Sequence, residues 1–354
     1  MASKELPGLR WGIIGCGLIS TWFVSDLVLS RSDAAANHTI TAVGSSSLEK
    51  GNKFVFENCP TQSPAVYDSY TDVYNDPNVD IVYIGTPHPL HHKNVLDAVA
   101  AGKHVLCEKP MAMDAQQGQE MAEAARERGV FLMEAMWTRF FPITKELQRL
   151  VHEEKSIGDV AAVWVDFGIY MPIKGCNPAS RTASKKLGAG ALLDIGIYSL
   201  TWASLVLDTT PGATPDISAN MIFSDHEQPD DRVDEQTAIV LRYPEQRAQA
   251  ICTASLLYKT SGTFARIEGS KGSISVGGVA ASKPGFLIVT PKDGEERRID
   301  YPVEGMGFYY EADAVAQDVQ AGRLENATCP LSTTQSMLSR MDSIMASCGL
   351  SYSG

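Results

Sequence analysis

The chain has 354 residues, more than one compact core accommodates, which predicts two domains. Its 30 basic and 42 acidic residues give a formal net charge of -12 without a cluster of Lys or Arg, so nucleic acid is excluded as an expected partner. Seven cysteines are scattered without a CxxC pair, which predicts a cytoplasmic protein with no metal site. The apolar N-terminal run is broken by glycines and Asp26, which predicts no signal peptide and no membrane partner.

The first predicted elements are a buried strand, a glycine-rich turn and a helix, in the line LRWGIIGCGLIS at 9–20. Gly15 permits a tight turn, Gly17 leaves room for phosphates, and the free N–H groups at the helix start attract an anion. Ser20 is a small substitute for the third glycine of a dinucleotide-binding turn. The pattern predicts that Gly15, Gly17, Leu18 and Ile19 contact a dinucleotide cofactor, with an ordinary tight turn as the alternative.

A second strand at 39–44 ends at Ser45, Ser46 and Ser47, and Lys50 follows one helical turn later. Enzymes that use NAD place a carboxylate at this point to bind the ribose 2′-OH. Hydroxyls and an ammonium instead bind a 2′-phosphate, so we predict NADP as the cofactor, with NAD possible. The serines also suit a role in capping the next helix, and the two roles are compatible.

Alternating strands and helices continue to about residue 140. Apolar runs at 80–85, 103–107 and 130–133 predict buried parallel strands, and a helix at 94–101 separates the first two. Asp114 with Gln117 predicts the start of another helix, which closes at Gly129. Residues 1–140 are therefore predicted to form an α/β domain with a doubly wound parallel sheet of the Rossmann type.

Two of these strands end in residues that suit a ligand site. The first is followed by Thr86, Pro87, His88 and His91, which we expect near the cofactor or substrate, with helix capping or packing as the alternative for the histidines.

The second strand ends at Cys107-Glu108-Lys109-Pro110. Lys109 can hold a ribose and polarise a substrate oxygen, and Pro110 stiffens the turn that carries it. An exposed ion pair of Glu108 and Lys109 is the alternative interpretation.

Beyond about residue 155 the pattern changes to strands linked by turns, at 160–169, 237–242, 248–257, 264–268 and 273–276. Helices are predicted at 194–206 and 332–347, and the Pro- and Asp-rich stretch 209–233 is predicted to be a loop. Residues 141–354 are therefore predicted to form an α+β domain, with a large, mainly antiparallel open sheet, that binds substrate.

The start of the helix at 194 places Asp194 and Tyr198 on one face, with Gly196 permitting close approach between them. A tyrosine with an ordinary pKa of ~10 is a poor base at neutral pH, but a nearby ammonium lowers that pKa. Lys109 is the candidate for that charge. An N-cap Asp and a core Tyr form the alternative interpretation.

The GIIGCG turn, the Glu108-Lys109-Pro110 tripeptide and the spacing of Asp194, Gly196 and Tyr198 resemble the Gfo/Idh/MocA oxidoreductases. The segment FLMEAMWTRFFP at 131–142 is similar to the subgroup of dimeric trans-dihydrodiol dehydrogenases and fungal NADP-dependent D-xylose 1-dehydrogenases. The resemblance implies that Lys109 and Tyr198 form the catalytic pair and that Asp194 orients the substrate. It also implies that His88, His91 and Trp137 line the substrate pocket. Phe308 and Tyr309 are further aromatic candidates for contact with the substrate.

The expected reaction is oxidation of an aldose such as D-xylose at C1 to the lactone. The alternatives are a trans-dihydrodiol substrate, a redox-neutral sugar epimerase or glycosidase, and a non-catalytic NAD(P)-sensing regulator. A homodimer is expected through the open sheet, because its apolar strand residues, such as Ile251, Ala254 and Leu256, need a cover.

Overall fold

The computed structural model describes residues 6–209, 214–225 and 231–352. They form two compact units. The first comprises the chain up to Trp137 together with Glu304–Ser336, and the second comprises Thr138–Val303 and the chain from Met337 onward. The predicted division into 1–140 and 141–354 thus differs at two places, because 138–140 belong to the second unit and 304–336 return to the first.

The first unit contains a six-stranded sheet in the order β3-β2-β1-β4-β5-β6, with every neighbouring pair parallel. Its strands are β1 (Gly8–Ile14), β2 (Asn37–Gly44), β3 (Ala65–Tyr67), β4 (Ile81–Ile84), β5 (His104–Glu108) and β6 (Leu132–Ala135). The first helices are α1 (Leu18–Leu27), α2 (Leu48–Asn58), α3 (Tyr70–Asn75), α4 (His91–Ala100) and α5 (Ala115–Arg128). The predicted doubly wound parallel sheet is confirmed.

The local signals behind these elements act as predicted. The Asp114 side chain accepts a hydrogen bond from the Gln117 N–H at 2.8 Å and caps α5, which ends at Gly129 with a left-handed φ of 70°. All four residues of β4 are buried, as expected for a parallel strand covered by helices on both faces.

Helix α8 (Tyr309–Gln320) belongs to the returning segment and is tied to the first unit by buried charges. The Asp26 carboxylate accepts hydrogen bonds, at 2.6 to 2.9 Å, from the consecutive N–H groups of Met306, Gly307 and Phe308. The Arg31 guanidinium donates to Asp313 of α8 at 2.8 Å. These partners lie about 280 residues apart in sequence, so no local sequence pattern predicts the contacts between them.

The second unit contains an eight-stranded sheet in the order β14-β13-β12-β11-β7-β10-β9-β8, in which only β7 and β10 pair in parallel. Its strands are β7 (Val160–Gly168), β8 (Asp216–Phe223), β9 (Asp234–Tyr243), β10 (Ala248–Ser255), β11 (Thr263–Gly269), β12 (Gly272–Ala280), β13 (Lys283–Pro291) and β14 (Arg297–Asp300). The predicted mainly antiparallel sheet is confirmed.

Three strands of this sheet were absent from the prediction, namely β8, β13 and β14. The loop predicted at 209–233 is wrong for residues 216–223, which form β8, while 210–213 and 226–230 lie outside the described residues. Strand β8 lies at the sheet edge and alternates between exposed and half-buried residues, so it lacks the buried apolar side chains that mark a central strand.

The remaining helices are α6 (Pro142–Gln148), α7 (Ile197–Leu207) and α9 (Leu331–Ser347). Helix α7 packs on β10, where the Ser199 hydroxyl donates to the Thr253 carbonyl oxygen at 2.8 Å. The stretch Lys185–Leu207 is long and apolar enough to cross a membrane, but 94% of its apolar window is buried inside the protein, as in a core helix.

The expectation that Ile251, Ala254 and Leu256 share the open face of the sheet is wrong. Ala254 and Leu256 are buried beneath helices, whereas Ile251 lies on the opposite face and is half-buried. Alternate residues of a strand point to opposite faces, so Ile251 cannot share a face with the other two. The open face is instead represented by Trp164, Val240, Ile251 and Arg266, which are cross-strand neighbours in direct register.

Candidate active site

The glycine turn between β1 and α1 lies where the strand order of the first sheet reverses. Gly15 has a left-handed φ of 92°, and a Cβ added there would stand 3.2 Å from both the Gly85 carbonyl oxygen and the Thr86 methyl group. Gly17 caps α1 without a side-chain hydrogen bond, and a Cβ there would meet only the Gly85 oxygen, at 3.9 Å. These uncapped N–H groups fit a dinucleotide pyrophosphate.

Ser20 performs the packing role expected of the third glycine position. Its buried hydroxyl is so close to the end of β4 that a Cβ on Gly85 would stand 2.3 Å from Ser20 Oγ. The close contact between α1 and the end of β4 therefore depends on the missing side chain of Gly85, because Ser20 on the helix does have a side chain.

The three serines after β2 have different environments. Ser47 caps α2 by accepting the Lys50 N–H at 3.2 Å, as the capping alternative predicted. Ser45 is buried beside the Cys16 thiol, whose pKa is raised by burial and lowered to a smaller extent by the Ser45 hydroxyl. Ser46 and the Lys50 side chain are exposed and remain the best candidates for a cofactor phosphate.

Lys109 follows the last residue of β5 and precedes a cis peptide bond to Pro110. Its side chain is only 8% exposed, and Glu108 is buried as well. The Glu108 carboxylate accepts hydrogen bonds from the Tyr83 hydroxyl at 2.7 Å and from the Lys109 N–H at 3.2 Å. The alternative of an exposed ion pair is therefore wrong, and Glu108 orients the turn that carries Lys109.

His91 connects the two turns at the ends of β4 and β5. Its Nδ1 lies 2.9 Å from the Pro110 carbonyl oxygen and its Nε2 lies 2.8 Å from the Thr86 carbonyl oxygen. Both ring nitrogens thus contact backbone, a geometry that favours a positioning role. The buried His88 ring packs edge-on against His91 with centroids 5.7 Å apart, and the half-buried Pro87 precedes it.

A chain of aromatic rings leads from Trp137 to Glu108. The rings of Trp137 and Phe308 stack at 4.2 Å, Phe308 meets Phe23 edge-on at 6.2 Å, and Phe23 stacks on Tyr83 at 3.8 Å. The Tyr83 hydroxyl ends the chain at Glu108. This packing fixes Trp137 and Phe308 inside the first unit, where both are almost completely buried.

Tyr309 is used differently from the prediction. Its ring lies under the Arg31 guanidinium at 3.7 Å, and its hydroxyl donates to the Glu304 carbonyl oxygen at 3.0 Å. Burial raises the pKa of this hydroxyl, which therefore remains protonated. Both ends of the side chain serve packing within the first unit, so its geometry does not favour a substrate-stacking role.

Sequence reasoning missed a buried acid in α8. Neither carboxylate oxygen of Glu311 has a hydrogen-bond partner among the described residues. Burial, together with the nearby carboxylates of Glu108 and Glu134, raises the pKa of Glu311 well above its ordinary value. Protonation of Glu311 is therefore favoured relative to that of an exposed glutamate.

In the second unit, Asp194 lies in a π-helical turn (Leu192–Gly196) that leads directly into α7, where Tyr198 stands in the first turn. Turns of this type often occur at functional sites. Asp194 Oδ1 accepts a hydrogen bond from the Arg181 guanidinium at 2.9 Å. Tyr198 is 5% exposed, and its ring meets Phe167 edge-on at 5.6 Å.

The alternative interpretation of Asp194 as an N-cap is wrong, because the turn begins before it, at Leu192. The cap is Asp234 of β9, whose Oδ2 accepts the Leu192 N–H at 2.7 Å and the Thr237 hydroxyl at 2.6 Å. Complete burial raises the pKa of Asp234 to about 6. Sequence reasoning missed both Asp234 and Arg181, since neither lies in a recognisable motif.

Gly196 permits a close approach, as predicted, but the approaching group belongs to the protein. A Cβ at this position would stand 3.3 Å from the Ala254 side chain of β10. The glycine thus lets the π turn lie against the sheet. In the described ranges, no group of three or more His, Cys, Asp or Glu side chains is arranged to hold a metal ion.

Known sequence families match both units. Residues 9–136 match the profile described as oxidoreductase family, NAD-binding Rossmann fold, and residues 144–275 match the GFO/IDH/MocA C-terminal domain. The chain is 34% identical to a trans-1,2-dihydrobenzene-1,2-diol dehydrogenase of Xenopus tropicalis, over 97% of this chain and 99% of the relative. It is 32% identical to a D-xylose 1-dehydrogenase (NADP(+)) of Hypocrea jecorina, over 99% and 95% respectively.

Solved structures share the fold over nearly the whole chain. The 3-ketoreductase KijD10 of Actinomadura kijaniata in complex with NADP has a TM-score of 0.76 at 25% identity, covering 96% of this chain and 98% of that one. The aldose-aldose oxidoreductase of Caulobacter crescentus, with glycerol bound, has a TM-score of 0.79 at 24% identity and covers 98% of both chains.

Proposed function

The chain belongs to the Gfo/Idh/MocA family of oxidoreductases, and we propose that it oxidises an aldose such as D-xylose at C1, using NADP. The observation that carries this proposal is the buried Lys109, which leaves the same edge of the Rossmann sheet as the uncapped glycine turn. A relative named as an NADP(+)-dependent D-xylose dehydrogenase, 32% identical over nearly the full length, supports the substrate class.

The residues that follow β2 support the choice of NADP. Ser46 and Lys50 are exposed, and this position lacks the carboxylate that would repel a 2′-phosphate. Gly15 and Gly17, with the first N–H groups of α1, would hold the pyrophosphate. When bound, the nicotinamide supplies the hydride acceptor of the reaction.

The protein's own groups handle the proton and orient the substrate. Tyr198 Oη, as the phenolate, takes the proton of the C1 hydroxyl, so that the carbon can release its hydride and become the lactone carbonyl. The Lys109 ammonium stabilises negative charge on the phenolate and on the developing alkoxide. Asp194 accepts hydrogen bonds from ring hydroxyls while the Arg181 guanidinium donates to its Oδ1.

A trans-dihydrodiol is the second candidate substrate. Relatives named trans-1,2-dihydrobenzene-1,2-diol dehydrogenase, such as those of Xenopus tropicalis and Homo sapiens, are 33 to 34% identical to this chain over almost its full length. The same proton transfer to Tyr198 applies, because a ring hydroxyl is oxidised in both reactions.

An NADP⁺ reduction assay over aldoses, inositols and trans-dihydrodiols tests the proposal. We expect NADPH formation with at least one aldose, and turnover lost in Lys109→Met. An absorbance scan of the purified protein is the companion measurement, because a redox-neutral epimerase or glycosidase would carry bound cofactor and form no net NADPH. No NADPH with any substrate, combined with tight NADP binding, would favour a sensor and overturn the proposal.

We also propose a homodimer through the open face of the second sheet. Trp164 is 40% exposed there, and its cross-strand neighbour Ile251 and the next neighbour Val240 are half-buried. A large aromatic side chain beside two β-branched residues makes an apolar patch that a second copy of the same face would cover.

A further inference from the structure

The segment before the π turn is held by a cluster of Gly190, Asp234 and Tyr352, of which the first two are buried and Tyr352 is half-buried. We propose that Tyr352 is a positioning residue for Asp194, acting with Asp234 on the backbone of residues 189–192. This inference rests on the proposed function, which makes Asp194 the residue that orients the substrate. All the residues concerned belong to the second unit.

The cluster closes around the backbone of Gly190. Gly190 has a φ of 134°, and a Cβ there would stand 2.3 Å from Asp234 Oδ1 and 2.6 Å from the Tyr352 hydroxyl oxygen. Any side chain at 190 would therefore collide with one or both groups. The carboxylate and the phenol together define where this stretch of backbone lies.

Three hydrogen bonds to the backbone link the position of residues 189–192 to that of Asp194. The Tyr352 hydroxyl donates to the Ala189 carbonyl oxygen, and Asp234 Oδ2 accepts the Leu192 N–H at 2.7 Å. The Gly190 carbonyl oxygen then accepts the N–H of Asp194 itself, at 3.1 Å. A shift of residues 189–190 must consequently move the backbone of Asp194.

The position of Asp194 is sensitive to such a shift, because its turn is π-helical. A π turn has looser i→i+5 hydrogen bonds than the α-helix that follows, so its geometry depends on external contacts. Asp194 Oδ1 also has to meet the Arg181 guanidinium at 2.9 Å. A small change in the turn would therefore change both the direction of the carboxylate and this ion pair.

Tyr352 is suited to act as a permanent donor. Burial and the nearby carboxylates of Asp234 and Asp194 raise the pKa of its hydroxyl well above the ordinary value. The phenol therefore keeps its proton at neutral pH and continues to donate to Ala189. A phenylalanine at this position would keep the ring and lose only that contact.

Hydrogen exchange of the peptide that covers residues 188–198 tests the proposal without any assay of turnover. In Tyr352→Phe we expect this peptide to exchange at least about threefold faster than in the parent. The control is Tyr243→Phe, which removes another buried hydroxyl of the second unit, one that donates to Asp208 Oδ1 at 2.8 Å. Parental exchange in Tyr352→Phe, or the same acceleration in Tyr243→Phe, would overturn the proposal.

Steady-state kinetics then separate positioning from stability. Tyr352→Phe should raise the KM for the sugar about threefold to tenfold and leave the Kd for NADP⁺ unchanged, and it should add little further when combined with Asp194→Asn. Additive effects of the two substitutions would contradict a route through Asp194. If Asp194→Asn alone changes neither KM nor kcat, the proposed role of Asp194 fails, and hydrogen exchange still decides whether Tyr352 holds the segment.

Discussion

Asp234 Oδ2 accepts the N–H of Leu192 at 2.7 Å, so a buried carboxylate caps the turn that carries Asp194. Its other oxygen has no hydrogen-bond partner among the described residues. A buried acid with one unsatisfied oxygen should make stability depend on pH, which leads to the first prediction.

Asp234→Asn should stabilise the fold at neutral pH and change it little in acid. Burial raises the folded pKa of Asp234 to about 6 from an ordinary value of 3.8, so the stabilising protonated form is lost as pH rises through about 6. The gain of the variant in unfolding free energy should grow to about 3 kcal/mol between about pH 4 and about pH 7. Denaturant unfolding across this range measures it, with the exposed Asp216→Asn as the control. A gain that does not vary with pH would rule out this titration.

Lys50→Ala should weaken NADP⁺ binding by about tenfold and leave NAD⁺ binding unchanged, since one charge-assisted contact to the phosphate is lost. Lys53→Ala is the matched control, because Lys53 is an exposed lysine of the same helix. Ser46→Asp should reverse or erase the preference for NADP⁺. Titration calorimetry of the parent and each variant with both cofactors gives the dissociation constants, and equal affinities of the parent for NAD⁺ and NADP⁺ would refute the assignment.

Lys109→Met and Tyr198→Phe should each lower kcat by roughly 10² or more. The double variant should have a kcat little below that of the less active single variant. The two groups are proposed to act together in the same proton-transfer step, so removing either one disables that step. Lys93→Met and Tyr170→Phe, which alter exposed residues, serve as controls for the kinetic assay. Near-parental kcat in Tyr198→Phe would remove that residue from the mechanism.

Trp164→Arg should convert the homodimer into a monomer, because a charge replaces the apolar centre of the open sheet face. Phe56→Arg, at an 86% exposed position of α2, is the control for introducing a charge at an exposed aromatic residue. Light scattering at micromolar concentration reads out the mass of each. A parent that is already monomeric and active would show that the open face has no partner of its own kind.

Sequence reasoning succeeded where the signal is local. Buried parallel strands read as continuous apolar runs, and Asp114 and Gly129 marked the ends of α5, because caps depend on a few adjacent residues. The edge strands β8 and β14 escaped notice, since a strand such as Arg297–Asp300 is defined by its neighbour β13 and has little apolar character of its own.

The contacts around the π turn of the second unit could not be predicted from the sequence, for the same reason. Asp194 and Tyr198 stand close together in sequence, but the π turn that contains Asp194 is capped at Leu192 by Asp234, 42 residues further along the chain. Asp194 itself pairs with Arg181, which lies in a loop. Neither partner follows a period or a motif. The face of β10 was assigned incorrectly because Ile251 is apolar although it shares a face with Thr253 and Ser255, opposite Ala254 and Leu256.

The return of residues 304–336 to the first unit has a consequence for biosynthesis. A ribosome that has made the first 137 residues has synthesised every strand of the Rossmann sheet, but not the backbone N–H groups of 306–308 that bind the Asp26 carboxylate. Until then the Asp26 carboxylate lacks these three backbone donors, and Phe23 lacks its edge-on contact with Phe308. The first unit is therefore completed only after the strands of the second sheet have been synthesised.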